Sequence, residues 1–140
     1  MIYLYKYNGK KCCYDSASGA VVELTALQYK MMGAIEAPLT PACPTSLRYE
    51  LAKFDSEDVT QAYDELYGLF CDGLIYREDK DGTASLRISG DHAVTDAEEA
   101  NLIFALAKNE GMTKYILVGN SSLADEYRLS AEKNGLTAKN

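Results

Sequence analysis

One position in the sequence could supply a general base. His92 is the only histidine of the 140-residue chain, and Asp91 stands directly before it. An imidazole changes its charge near neutral pH, which suits proton transfer. The alternative interpretation is a solvent-exposed histidine without a chemical role, since neither a glycine-rich nucleotide fingerprint nor a P-loop accompanies the pair.

A second group of polar residues, Asn120, Ser121 and Ser122, stands between a predicted strand and a predicted helix. The serine hydroxyls at the helix start could hold an anion, or they could simply cap the helix. Residues 90–92 have the same position after another predicted strand. Because ligands bind at the carboxyl ends of parallel strands, the loops 90–92 and 119–122 together form a candidate site for a small ligand or an enzymatic reaction.

The four cysteines do not form a recognisable metal site. Cys12 and Cys13 are neighbours whose side chains would alternate across a strand, whereas Cys43 and Cys71 lie far away in the sequence. No CxxC spacing occurs, and we expect buried or idle thiols in a reducing compartment. We therefore expect neither a bound metal nor another cofactor.

Composition and charge narrow the class of protein. Hydrophobic residues make up 47% of the sequence, which indicates a packed core rather than disorder. The net charge is −7, and this acidic balance argues against nucleic acid and anionic membranes as the main partners. No run approaches transmembrane length and the N-terminus lacks the features of a signal peptide, so we expect a cytoplasmic protein.

Three strands are predicted at the N-terminus. Tyr3, Tyr5 and Tyr7 occupy every second position of residues 2–7, which predicts a first strand. The hairpin signal Asn8-Gly9 then leads into a second strand over residues 11–15. A second turn precedes a third strand over residues 20–24. These strands predict a three-stranded antiparallel sheet, one face of which must be buried against helices.

Three helices are predicted after this sheet. A capping box indicates a helix over residues 26–36, and a shorter helix is expected over residues 46–53 after a proline-rich loop. The third and best-specified helix, residues 56–72, repeats apolar residues at helical spacing. Tyr63 and Tyr67 lie on the shoulder of its apolar stripe, either as the rim of a core or as the wall of a groove.

The remaining residues show a different pattern. Residues 74–77 and 84–89 flank a turn at Asp81-Gly82 and are predicted to form a hairpin. A helix over residues 97–109, an apolar strand over 114–119 and a last helix ending near residue 134 then follow. This order of strands and helices is typical of a parallel sheet.

We therefore predict an α+β protein with two parts. The first is a domain of residues 1–80, winged-helix-like, in which three helices cover a three-stranded antiparallel sheet. The second is a small βαβα module of residues 84–140.

Part of the sequence also matches a known pattern. The matching residues are Tyr14-Asp15, Ser18-Gly19, Val21-Val22 and Leu24, followed in and after the third helix by Glu65-Leu66, Leu69 and Asp72-Gly73-Leu74-Ile75. Through them, residues 3–77 resemble the precursor-peptide recognition element found in the biosynthesis of ribosomally made, modified peptides. The resemblance covers about half of the chain, and most of the matching residues are turn or core residues.

This resemblance implies a binding function. Such elements hold the leader segment of a precursor peptide as an added strand, beside the third strand and against the third helix. The last strand of a meander also has an outer edge with unpaired backbone groups, unless the protein itself covers that edge. The expected peptide-binding residues are Val21, Val22, Glu23 and Leu24 on the strand, with Tyr63 and Tyr67 as the opposite wall.

The implied partners are a precursor peptide and a peptide-modifying enzyme, since family members often stand at the front of radical-SAM peptide maturases. The cysteine triplet CxxxCxxC, which binds the iron–sulfur cluster of such enzymes, is absent from this sequence. The resemblance therefore implies binding rather than catalysis. A ligand-binding or enzymatic module with its site on the two strand-end loops is the alternative.

A winged helix could instead bind DNA through its third helix. Here that helix carries five acidic residues over positions 56–72 and neither lysine nor arginine. Phosphate contact requires the opposite charge, so we expect no nucleic acid partner.

Overall fold

A computed structural model describes residues 1–78 and 81–139 of the chain. These residues form five helices and two separate three-stranded sheets. In this part of the chain, no helix is both long enough and apolar enough to cross a membrane. The predicted α+β class is confirmed.

The first sheet, which we call the meander sheet, consists of β1 (Ile2–Tyr7), β2 (Lys10–Asp15) and β3 (Val21–Leu24) in antiparallel order. Asn8 and Gly9 connect β1 to β2 with φ angles of 49° and 76°. Two successive positive φ values are the geometry of a tight hairpin turn, which is why the Asn-Gly pair predicted this connection correctly.

Three helices pack on one face of the meander sheet: α1 (Ala26–Met32), α2 (Thr45–Glu50) and α3 (Ser56–Cys71). The predicted capping box is present, because Thr25 and Gln28 exchange side-chain and backbone hydrogen bonds. However, α1 ends four residues earlier than predicted. The amides of Gly33 and Ala34 bond three residues back instead of four, and this tighter turn closes the helix.

The second sheet, the parallel sheet, consists of β4 (Thr83–Arg87), β5 (Lys114–Val118) and β6 (Thr137–Ala138). Its strands alternate with α4 (Ala97–Asn109) and α5 (Ala124–Lys133). The predicted parallel pairing is confirmed, and the two-residue strand β6 extends the predicted module by one strand. A winged-helix-like arrangement of the first half stays a prediction.

The outer side of β4 lies against the turn between β2 and β3. The amides of Ser85 and Arg87 donate to the carbonyls of Ser16 and Gly19, at 2.8 and 2.9 Å. A β-carbon on Gly19 would lie only 3.1 Å from the Arg87 nitrogen, and Gly19 has a φ of 78°. Only glycine therefore allows the turn and the strand to approach this closely.

The predicted hairpin between residues 74–77 and 84–89 is wrong. Residues 74–77 form no strand, and Tyr76 has a left-handed φ of 56°, which an extended strand cannot accommodate. The β4 strand pairs in parallel with β5 instead. The predicted domain limit at residue 80 lies outside the described residues.

Both faces of the meander sheet are buried. Cys13, Val22 and Leu24 belong to a core with α1, α2 and α3. Cys12 and Tyr14 belong to a second core, which they share with residues of the parallel sheet, α4 and α5. The two halves of the sequence are thus joined through the meander sheet.

Two tyrosines of β1 reach across the second core to α4. The Tyr5 hydroxyl donates to the buried Glu99 carboxylate at 3.1 Å, and the Tyr7 hydroxyl donates to Asp96 at 2.8 Å. Burial, followed by the Glu99 charge, raises the pKa of Tyr5. The hydrogen bond to Asp96 is the largest cause that raises the pKa of Tyr7 to about 12. Both tyrosines therefore stay protonated as donors at neutral pH.

We predict that Tyr5→Phe lowers the free energy of unfolding by about 1–3 kcal/mol, because it removes the donor to a buried Glu99 oxygen. Urea denaturation of the full chain measures this change. Tyr76→Phe is the matched control, since the buried Tyr76 hydroxyl has no hydrogen-bond partner among the described residues. The control should leave the midpoint unchanged or raise it, and equal losses for the two variants would contradict the prediction.

Candidate functional site

The outer edge of β3 is paired at its first residue, Val21. The Val21 amide donates across this edge to the His92 carbonyl at 2.8 Å. Val22 and Leu24 pair with Cys13 and Lys11 of β2 on the other side. Because backbone groups alternate in an antiparallel strand, an outward amide at Val21 places the Glu23 amide and carbonyl outward as well.

The rest of this edge is open among the described residues. Apart from the Val21 amide, the hydrogen bonds between described residues leave the outward groups of Val21 and Glu23 without a partner. Glu23 is exposed, whereas Val22 and Leu24 are buried in the helical core. The four residues predicted on this strand can therefore offer backbone groups to a partner, and Glu23 also offers its side chain.

Tyr63, one of the two tyrosines predicted as the opposite wall, is a core residue. Only 1% of its surface is exposed, and its hydroxyl donates to the Thr40 carbonyl at 2.7 Å. On the same side of α3, Thr60 accepts a hydrogen bond from Arg48 of α2. Tyr67 lies one turn after Tyr63 on this side. The structure thus places both tyrosines toward α2 and the proline-rich loop.

The other shoulder of α3 lies next to α1, the helix that follows β3. Gln28 donates to the Glu65 carboxylate at 2.8 Å, and Gln28 is in the first turn of α1, which directly continues β3. At the other end, the Ser18 hydroxyl donates to the Leu74 carbonyl at 2.7 Å, just before β3 begins. Glu65, and Leu69 one turn later, therefore lie on the shoulder of α3 that faces α1.

The charge of this region is acidic. Glu23 and Glu65 lie at the strand and at the helix shoulder, and Asp72 follows at the helix end. An open depression of about 500 Å³ along the exposed side of α3 is lined by Ser56, Glu57, Thr60, Gln61, Asp64 and Glu65. Neither lysine nor arginine is among these lining residues.

The two loops of the alternative site do meet. The Asn120 amide donates to the Ser89 hydroxyl at 3.1 Å, where β4 and β5 end side by side. A β-carbon on Gly119 would come within 2.1 Å of the Ser89 oxygen. The prediction that both loops lie at the carboxyl edge of the sheet therefore agrees with the structure.

The polar side chains of these loops either form local hydrogen bonds or have no hydrogen-bond partner among the described residues. The Ser121 hydroxyl accepts the Leu123 amide at 3.1 Å in the turn before α5. The predicted serine cap is wrong, because Leu123 is the N-cap residue of α5 and no described side chain caps this helix. His92 has a left-handed φ of 60° and acts through its carbonyl on Val21. Among the described residues, no hydrogen bond or ion pair joins the His92 side chain to Asp91 or to Ser122.

The cysteines are free thiols, and two of them are buried. Burial is the main cause that raises the pKa of Cys13 to about 12, and burial followed by the Glu99 charge raises the pKa of Cys12. Both thiols therefore stay protonated at neutral pH and do not act as nucleophiles. No group of three histidine, cysteine or acidic residues in the described ranges could hold a metal ion.

Neither a protein-family model nor a curated protein matches this chain.

We predict that His92→Ala changes the free energy of unfolding by less than about 0.5 kcal/mol, since the residue bonds through its backbone. His92→Pro is the contrasting variant, because a proline cannot adopt the positive φ that turns the carbonyl toward Val21. It should lower the thermal midpoint clearly. A large loss with His92→Ala would instead show that the imidazole itself is needed.

Proposed function

We propose that this protein binds the leader segment of a precursor peptide as an added strand on the outer edge of β3, and thereby serves a peptide-modifying enzyme. The observation that carries the proposal is the outward pair of backbone groups at the exposed residue Glu23, which have no hydrogen-bond partner among the described residues. Strand addition uses such groups for affinity and alternate side chains for specificity.

The structure limits the register of such a strand. The His92 carbonyl occupies the Val21 amide, so a bound peptide would pair with the Val21 carbonyl and with both backbone groups of Glu23. Three hydrogen bonds on a short edge supply little affinity alone, since each is worth about 1 kcal/mol net. Side chains of the peptide would therefore need to contact the shoulder of α3 near Leu69.

The proposed role is binding, and the chemical step belongs to the partner enzyme. The family resemblance points to an enzyme such as a radical-SAM maturase. This chain lacks the cysteine triplet of such enzymes, and its two buried thiols stay protonated. Delivery of the peptide to a separate active site is the function that agrees with these features.

The first test replaces the outward amide. Glu23→Pro removes this donor and should weaken peptide binding about tenfold or more, because proline is tolerated on a sheet edge but cannot donate. Glu23→Thr is the matched control, which keeps the amide and removes the charge. The probes are fluorescent synthetic peptides that cover the N-terminal segments of any short reading frames flanking the gene, titrated by anisotropy against the full chain.

Circular dichroism must show that both Glu23 variants fold. A folded Glu23→Pro variant that binds with unchanged affinity would place the peptide elsewhere. Equal losses for Glu23→Pro and Glu23→Thr would mean that the glutamate charge, and not strand pairing, holds the peptide.

The second test separates the two shoulders of α3. Leu69→Ala should weaken the same peptide severalfold, since it removes apolar contact beside β3, worth about 1 kcal/mol or more at a binding site. Tyr67→Ala removes a larger side chain from the opposite shoulder and should change affinity less. A greater loss with Tyr67→Ala, at equal folding, would restore the tyrosine side as the wall of the groove.

A further inference from the structure

The parallel sheet has one face that no described element covers. Strand alternation directs Tyr115 and Leu117 of β5 toward α4 and α5, where Tyr115 joins the shared core. The opposite face, which we call the outer face, carries the other side chains of β5 and their neighbours on β4. These are Ser85, Arg87, Lys114, Ile116 and Val118, with the buried Thr83 at one end of the face.

The centre of the outer face is apolar and exposed. Ile116 and Val118, both on the central strand β5, are 40% and 44% exposed. Parallel sheets are almost always covered by helices on both faces, because their strands are apolar on both sides. Here α4 and α5 share a single core on the inner face, and no helix among the described residues covers the outer face.

Neighbouring segments border part of this face and form a groove of about 620 Å³. Ala17 of the β2–β3 turn stands on one side, and the segment with Arg77 and Glu78 follows the end of α3. Ile116 lies in the lining, together with Ser85 and Lys139. The groove therefore has room for side chains of a partner.

The charge around the outer face is opposite to that of the chain as a whole. Four cationic residues stand on it or at its rim: Arg77, Arg87, Lys114 and Lys139. The described acidic residues there are Glu78 and Asp81, and Asp81 and Lys139 form an ion pair, which leaves three cationic residues against Glu78. In a chain with a net charge of −7, this cationic rim is a distinct feature.

We propose that the outer face docks an amphipathic helix of a partner protein, with its apolar side on Ile116 and Val118 and acidic side chains facing Arg77 and Lys114. Parallel sheets usually have helices on both faces, so a helix is the element expected on the uncovered face. The acidic flanks follow from charge complementarity, which sets partner choice at such rims. This proposal is independent of peptide binding at β3.

A second copy of this chain fits the outer face less well. Two outer faces related by a two-fold axis would bring Lys114 and its cationic neighbours against each other, which is unfavourable. The acidic exposed side of α3 would satisfy the charge, but its residues Glu57, Gln61 and Asp64 provide no apolar strip for Ile116. The occupant is therefore a different chain.

The test uses two synthetic helices of about 16 residues, or more than four turns. Both carry the same leucine stripe, and one has glutamate flanks where the other has lysine flanks. Titration calorimetry with the full chain should show saturable binding of the glutamate helix, about tenfold tighter than that of the lysine helix at low salt. Added salt should reduce this difference.

Variants then locate the binding site. Ile116→Glu should weaken the glutamate helix about tenfold or more, since it places a like charge in the apolar centre. Leu129→Glu is the matched control, because Leu129 is 68% exposed on α5, away from the outer face. Both positions are exposed, so both variants should fold, and circular dichroism checks this.

Several results would overturn the proposal. These are failure of the glutamate helix to bind, equal binding of the two helices, and an equal or greater effect of Leu129→Glu. Sedimentation of the chain alone provides a further check. A dimer that Ile116→Glu dissociates would show that a second copy, and not an acidic helix, covers the outer face.

Discussion

The structure depends on a buried carboxylate at the end of β2. Asp15 has no exposed surface, and one of its oxygens accepts the amides of Ala17 and Ser18 at 2.9 Å. Its other oxygen accepts the Arg77 amide at 3.0 Å, just after α3. A buried charge is tolerated only when hydrogen bonds replace its water, and these three amides do so. The same carboxylate therefore shapes the β2–β3 turn and fixes the exit of α3.

The β2–β3 turn, which Asp15 shapes, also binds the second half of the chain. Ser16 and Gly19 accept amides of β4 through their carbonyls, and the Tyr14 hydroxyl donates to the Ser85 carbonyl. The residues that carry the family resemblance, Tyr14-Asp15 and Ser18-Gly19, are thus structural in this protein. They explain why the meander sheet and the parallel sheet can share one core, but they do not themselves form a binding surface.

The local elements could be predicted from the sequence because local interactions decide them. Alternation, the Asn8-Gly9 turn and the capping box at Thr25 act over a few residues, and the structure confirms each of them. The failed hairpin at residues 74–77 had a distant cause. The Arg77 amide bonds to Asp15, 62 residues earlier, and Tyr76 bends into the left-handed region beside it. No local pattern reports such a bond.

The candidate site shows the same division between local and distant causes. Strand order identified β3 as an edge, yet the cover on Val21 comes from the His92 carbonyl, 71 positions further along the chain. A helical wheel gives two shoulders of α3 and cannot tell which one faces β3. The hydrogen bond from Gln28 to Glu65 identifies the shoulder that faces this part of the chain. In the sequence, the only sign of this contact was a glutamate beside the apolar stripe.

These contacts also give residues 84–139 a role in the proposed function. One face of the meander sheet packs on α1, α2 and α3, and α4 contacts the other face through the hydrogen bond between Tyr5 and Glu99. The loop at His92 then ends the open edge at Val21, so the second half sets where an added strand can begin. A binding edge needs a rigid template, because each backbone group must already point outward when the partner arrives. The second half of the chain provides that rigidity from the face that the helices α1, α2 and α3 leave uncovered.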